Sequence, residues 1–236
     1  MHSLASLLEI SFVGEAFRLA QNFKRMLLDL RLYAILGKEY RRGRSLREIA
    51  TALAKCGVTA IQLRDKDVGV QKFLEDAEEI KEITTKFNIP FIINDRIDIC
   101  LAVDADGVHL GKEDFPINYA RRILGDKKII GASVGSVADA KKAEEYGASY
   151  VSVGSVFPSQ TKPKPCISLG LIADIKKEVS IPVIAIGGIT VDNAAKVIEG
   201  GADGICIMKG LIDTYDIMER VKAFKELINK TEKDRR

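Results

Sequence analysis

The sequence predicts the α/β class: a (β/α)₈ TIM barrel with an additional N-terminal helical segment. Three observations carry that prediction. Short apolar runs alternate with amphipathic helical patterns, the signature of repeated strand–helix units. The runs do not alternate with polar residues, so both faces of the sheet are buried, as when helices cover a parallel sheet. Eight such runs within 236 residues favour a closed barrel over an open doubly wound sheet. No G-x-G-x-x-G follows the first run, which weakens the dinucleotide-binding alternative.

Residues 1–30 read as added helix. The stretch "EAFRLAQNFKRMLLDL" places Phe17, Ala20, Phe23, Leu27 and Leu30 near one helical face. Packing against the bottom of the barrel is favoured over membrane binding, with a partner interface as the alternative. Residues 31–236 then make a single barrel domain, with no interior linker or low-complexity stretch. Its strands are "LYAIL", "VTAIQL", "PFIIN", "DGVHL", "KIIGAS", "YVSVGSV", "PVIAIGG" and "GICIM". Helices between them include "LREIATALAKCG", "VQKFLEDAEEIKEITTKF" and "VADAKKAEEYGA". The glycines of "GASV", "AIGG" and "GADG" permit tight strand ends.

Composition narrows the function classes. At 47% hydrophobic residues the chain has ample material for one core. A formal charge of +3 gives no general argument for nucleic acid. Cys56, Cys100, Cys166 and Cys206 are scattered without a CxxC pair, and only His2 and His109 are available to join them. A Cys/His zinc site and a disulfide framework are therefore both disfavoured, and buried free thiols are the better reading. Glu9 and Glu15 interrupt the N-terminal stretch and no basic region precedes it, so no signal peptide is expected. No uncharged run reaches membrane-spanning length. The expectation is a soluble, cytoplasmic protein without nucleic-acid or membrane partners, with a homo-oligomer left open.

Residues that follow barrel strands gather at the C-terminal mouth, so the candidates are read strand by strand. The second strand runs into "QLRDKD", where Gln62, Arg64 and Lys66 alternate and project to one side. Two cations there make a poor core and a good anion cradle. The bland alternative is a solvated strand end. The third strand ends at Asn94-Asp95, and His109, Lys112 and Asp114 follow in the fourth unit. Two carboxylates beside basic residues suit Mg²⁺ shared with substrate phosphates. Asp114 reads equally as a helix N-cap before "FPINYARRIL". His109 reads as an ordinary core or strand-end histidine. Ser133 ends the fifth strand. Ser159, Thr161 and Lys162 lie in a proline-bounded loop, either phosphate-binding or simply polar surface. Gly187-Gly188 precede the helix "TVDNAAKVIEGG", where backbone N–H groups can face an anion.

Taken in order, "QLRDKD", "NDRIDICLAVDADGVHLGKED", "GASV", "VGSVFPSQTK", "IPVIAIGGI" and "GADGICIM" resemble the thiamine-phosphate synthase family, from about Leu32 to about Leu211. The resemblance implies a single-domain (β/α)₈ barrel and a Mg²⁺-dependent transferase. Such an enzyme joins hydroxymethylpyrimidine pyrophosphate to thiazole phosphate, giving thiamine phosphate and pyrophosphate by a dissociative displacement. It implies that Gln62, Arg64, Lys66, Asn94, Ser133 and Lys162 hold the pyrimidine pyrophosphate, with Arg64, Lys66, Ser133 and Lys162 serving catalysis. Asp95 and Asp114 would hold Mg²⁺. Ser159, Thr161, Gly188, Met208 and Lys209 would bind the thiazole phosphate.

The sequence departs from the family pattern at Ser159, often Thr, at Lys112, often Gln, and at Lys209, commonly Ser. Three rival readings follow. The related thiazole tautomerase is expected to lack the paired carboxylates. A catalytically silent thiamine-phosphate-binding protein and a sugar-phosphate epimerase are the others, since fold alone does not fix function.

Overall fold

Strands β1 Leu32–Leu36, β2 Ala60–Leu63, β3 Phe91–Asn94, β4 Gly107–Leu110, β5 Ile129–Val134, β6 Tyr150–Gly154, β7 Val183–Ile186 and β8 Gly204–Ile207 form a closed parallel barrel. The structure, a computed structural model, describes residues 28–158 and 166–234. Each strand pairs with the next, and β8 closes on β1 with Tyr33 opposite Cys206. Every residue of β1, β2, β4 and β8 is buried. That is why these runs show no polar alternation: one face meets the barrel interior and the other meets helices.

Two cores result. The larger lies between the strands and the helical ring. The smaller fills the barrel and contains Leu30, Tyr33, Ile35, Ala60, Ile92, Tyr150, Ile184 and Cys206. The first helix, Leu46–Cys56, shows how local sequence sets its bounds. Ser45 accepts from the Glu48 N–H at 3.1 Å, and the Glu48 carboxylate accepts from the Ser45 N–H at 2.7 Å. Gly57, at φ 84°, ends it in the left-handed conformation. This capping box satisfies two otherwise orphaned N–H groups and contributes about 1 kcal/mol. Leu46, Ile49, Ala50, Leu53 and Ala54 form its buried face.

Strand β1 and the helix Val70–Phe87 have the bounds read from sequence. Strands β6 and β7 end earlier, at Gly154 and Ile186. Ser155-Val156 and Gly187-Gly188 are therefore loop residues at the mouth. The helix expected over residues 1–30 falls mostly outside the described residues, and residues 28–30 are not helical. Leu30 is buried, and the barrel interior is what covers it. Cys100 and Cys206 are buried, but Cys166 is exposed because it lies in the loop before the helix Leu169–Glu178; all four thiols are free. No helix among the described residues is long and apolar enough to cross a membrane.

Candidate active site

Strand ends from across the barrel deliver polar groups to one cavity at the C-terminal mouth. Its volume is about 140 Å³, and Gln62, Arg64, Lys66, Asn94, Asp95, Asp114 and Ser133 all line it. The register explains the convergence. Asn94 lies beside His109, His109 beside Gly131, and Ser133 beside Ser152. Period-two alternation then aims Gln62, Arg64 and Lys66 from β2 and its extension to the same side. Ile35, Ile184 and Ile186 supply the apolar part of the wall.

Asp95 stands at φ +62°, in the left-handed region that few residues other than Gly, Asn and Asp adopt. Its N–H donates to the His109 carbonyl at 2.9 Å, which pins the turn after β3. Its carboxyl meets Asp114 across the mouth. Burial and then the contact with Asp114 raise the Asp95 pKa above the ordinary range, against the pull of Lys66. Burial pushes Asp114 the same way, but its contacts with Asp95 and the Gly111 N–H outweigh that and hold it low. Of the two carboxyls, Asp95 is therefore the easier to protonate.

Asp114 is not a helix cap. The helix Ile117–Leu124 has Pro116 at its N-cap, and the Asp114 carboxylate instead accepts from the Gly111 N–H at 2.7 Å. Lys66 Nζ lies 2.8 Å from Asp95 Oδ2. Arg64 and Asn94 make no side-chain hydrogen bond or ion pair among the described residues. No group of three or more ligating side chains occurs among the described residues. Two facing carboxylates are a hard-oxygen donor set that suits Mg²⁺ when substrate and water complete the shell.

His109 is buried, as read, yet it also lines the cavity. Its Nδ1 meets Tyr150 Oη at 2.9 Å and its Nε2 meets Ser133 Oγ at 3.0 Å. Burial pulls its pKa down to about 4. Tyr33, Tyr150 and Ser152 were not singled out from the sequence. The available signal was inward spacing by two in "YVSVG", which puts Tyr150 and Ser152 on one face.

Of the thiazole-phosphate candidates, Ser159 and Thr161 lie outside the described residues, as does Lys162 of the pyrophosphate set. Gly188, Met208 and Lys209 do not line the cavity and belong to the loops beside it. Gly188 has φ +65°, and a Cβ there would stand 2.6 Å from the Pro158 carbonyl. Only glycine allows that approach, which holds the end of the β6 loop against the β7 loop. Met208 packs half-buried on both cores. Lys209 Nζ lies 3.9 Å from Asp213 Oδ2 and 5.4 Å above the Tyr40 ring. Lys112 is turned to Asp139, at 2.6 Å.

The sequence pattern of the family described as thiamine monophosphate synthase matches residues 32–211. The chain belongs to the thiamine monophosphate synthase family. It is 45% identical over 208 residues to the thiamine-phosphate synthase of Caldanaerobacter subterraneus, covering 84% of this chain and 97% of that one. It is 43% identical over 202 residues to that of Clostridium novyi, covering 85% and 99%. A solved thiamine phosphate pyrophosphorylase from Pyrococcus furiosus superposes with a TM-score of 0.77 at 36% identity, covering 86% and 98%. As a member of this synthase family the chain is an enzyme, a transferase.

Proposed function

We propose that the cavity binds hydroxymethylpyrimidine pyrophosphate and transfers its pyrimidine methylene to the nitrogen of thiazole phosphate, giving thiamine phosphate and pyrophosphate. The observation that carries this reading is the meeting of Arg64, Lys66 and the Asp95–Asp114 pair in one cavity with Gln62, Asn94 and Ser133. Cations, a hard-metal donor pair and neutral hydrogen-bonding groups are what a ring bearing a pyrophosphate requires. The paired carboxylates are also the feature that the tautomerase reading expects to be missing.

Arg64 grips pyrophosphate oxygens through its planar fork, and Lys66 adds a movable charge. Gln62, Asn94 and Ser133 orient the pyrimidine end. Asp95 and Asp114 would hold Mg²⁺, which when bound neutralises charge on the pyrophosphate oxygens. Charge building on the leaving group is stabilised by Arg64, Lys66 and Lys162, so the C–O bond breaks first. The methylene carbon becomes cation-like, and the thiazole nitrogen lone pair forms the new C–N bond. Ile35, Ile184 and Ile186 limit water beside that carbon. Lys66 neutralises Asp95 until substrate arrives, then turns to the pyrophosphate. Gly188, Met208 and Lys209, with Ser159 and Thr161, take the thiazole phosphate.

The test is to mix the protein with both substrates and follow thiamine phosphate with Mg²⁺ or with EDTA. Mg²⁺-dependent product is expected. Folded protein that binds thiamine phosphate without turnover would support the silent-binder reading instead.

A further inference from the structure

A polar relay crosses the barrel interior beneath the cavity. Gln62 Nε2 lies 2.7 Å from Tyr33 Oη, Tyr33 Oη 3.0 Å from Tyr150 Oη, and Tyr150 Oη 2.9 Å from His109 Nδ1. His109 Nε2 continues to Ser133 Oγ at 3.0 Å and Ser152 Oγ at 3.3 Å. Both tyrosines are fully buried, and Gln62 is 2% exposed. Tyr150 stacks on His109 and meets Tyr33 edge-on, so the rings hold one another in place. Gly131 makes the room: a Cβ there would lie 2.1 Å from the Tyr150 ring and 2.5 Å from His109 Nδ1.

We infer that Tyr33, Tyr150 and His109 are positioning residues of a one-way hydrogen-bond relay, which fixes the Gln62 amide and the Ser133 hydroxyl as opposite, complementary contacts for the pyrimidine substrate. The direction follows from donor accounting. An amide nitrogen only donates, so Tyr33 accepts from Gln62; Tyr150 Oη is then the acceptor within reach of the buried Tyr33 O–H, which donates to it. Tyr150 donates to His109 Nδ1. The neutral imidazole then carries its proton on Nε2, which donates to Ser133 and Ser152. Two hydroxyls face that nitrogen. One N–H can be shared between two acceptors, whereas a single lone pair cannot accept from both.

Two consequences reach the cavity. Gln62 presents its Oε1 as an acceptor, and Ser133, 3.4 Å from Ser152 Oγ, keeps its own O–H for the cavity when Ser152 donates across that contact. The Ser133–His109 pair, at 3.0 Å, looks like a nucleophile and its base. With the proton already on Nε2, His109 has no lone pair to take the Ser133 proton. The relay therefore withholds a serine nucleophile from a cation-like carbon that should meet only the thiazole nitrogen. This inference rests on the proposed substrate for its meaning, whereas the ring spectrum tests the relay without it.

The test is the ¹⁵N–¹H correlation spectrum of the His109 ring in the ligand-free full chain at pH 7, assigned by loss of the signal in His109→Gln. A protonated Nε2 and a hydrogen-bonded, unprotonated Nδ1 are expected. A protonated Nδ1 would reverse the relay and overturn the inference. In Tyr150→Phe the Nδ1 signal should move to its unbonded position, and KM for the pyrimidine pyrophosphate should rise about fivefold, the scale of one lost hydrogen bond. An unmoved Nδ1 signal or an unchanged KM would contradict the positioning role. Absence of turnover in the wild type would remove the substrate assignment while the ring spectrum still judged the relay.

Discussion

Acidification from pH 7 to pH 4 should cost the folded protein stability through one identifiable group, His109. Its imidazole is held neutral, with its pKa pulled from 6.5 down to about 4 by burial. In the unfolded chain the same ring takes up a proton below about pH 6.5. Between these two values the unfolded state binds more protons, so stability falls as pH drops through that window. At about 1.4 kcal/mol per pH unit the His109 contribution is roughly 3 kcal/mol, reached near pH 4. Carboxylates titrate there too, so the informative quantity is a difference between two proteins. Denaturant unfolding of wild type and His109→Gln at pH 7, 5.5 and 4 isolates it. The amide of the variant keeps hydrogen-bonding capacity without a titration, so the variant's loss from pH 7 to pH 4 should be smaller by about that amount. Equal losses in the two proteins would mean that His109 protonates in the native state as readily as in the unfolded one.

The remaining predictions concern the site and its support. Asp95→Ala or Asp114→Ala should lower turnover about a hundredfold or more, with little loss of melting temperature. Near-normal Mg²⁺-dependent turnover in both would contradict the metal assignment. Lys209→Ser should preserve kcat and shift the thiazole-phosphate KM; an unchanged constant would mean that Lys209 does not contact that phosphate. Gly131→Ala should destabilise by about 1–3 kcal/mol through overpacking, read by denaturant unfolding, because its new methyl group meets Tyr150 and His109. Wild-type stability would show that the two rings can yield.

Much of this was legible because it is local. The apolar run Leu32–Leu36 and the helix Val70–Phe87 depend on hydrophobic patterns within one segment. The alternation of Gln62, Arg64 and Lys66 likewise needed only strand geometry. Contacts between units were harder. The Lys66–Asp95 ion pair joins two βα units and depends on the left-handed turn at Asp95, which spacing does not reveal. Asp114 was ambiguous because the turn Gly111–Pro116 can lead either to a cap or to a cavity; Pro116 at the N-cap resolves it. Tyr33 and Tyr150 passed as ordinary strand residues, since nothing local shows that their hydroxyls meet inside the barrel. Residues 1–27 and 159–165, with the candidates among them, lie outside the described residues.

If Asp95 and Asp114 together hold a divalent cation against the pyrophosphate, crystals grown with Mn²⁺ and pyrophosphate will show it, since the anomalous signal of Mn²⁺ locates the ion. The expected peak is shared by the two carboxylates, with pyrophosphate oxygens on its open side and Arg64 and Lys66 on the anion. A pyrophosphate bound in the cavity with no ion between Asp95 and Asp114 would rule out the shared metal.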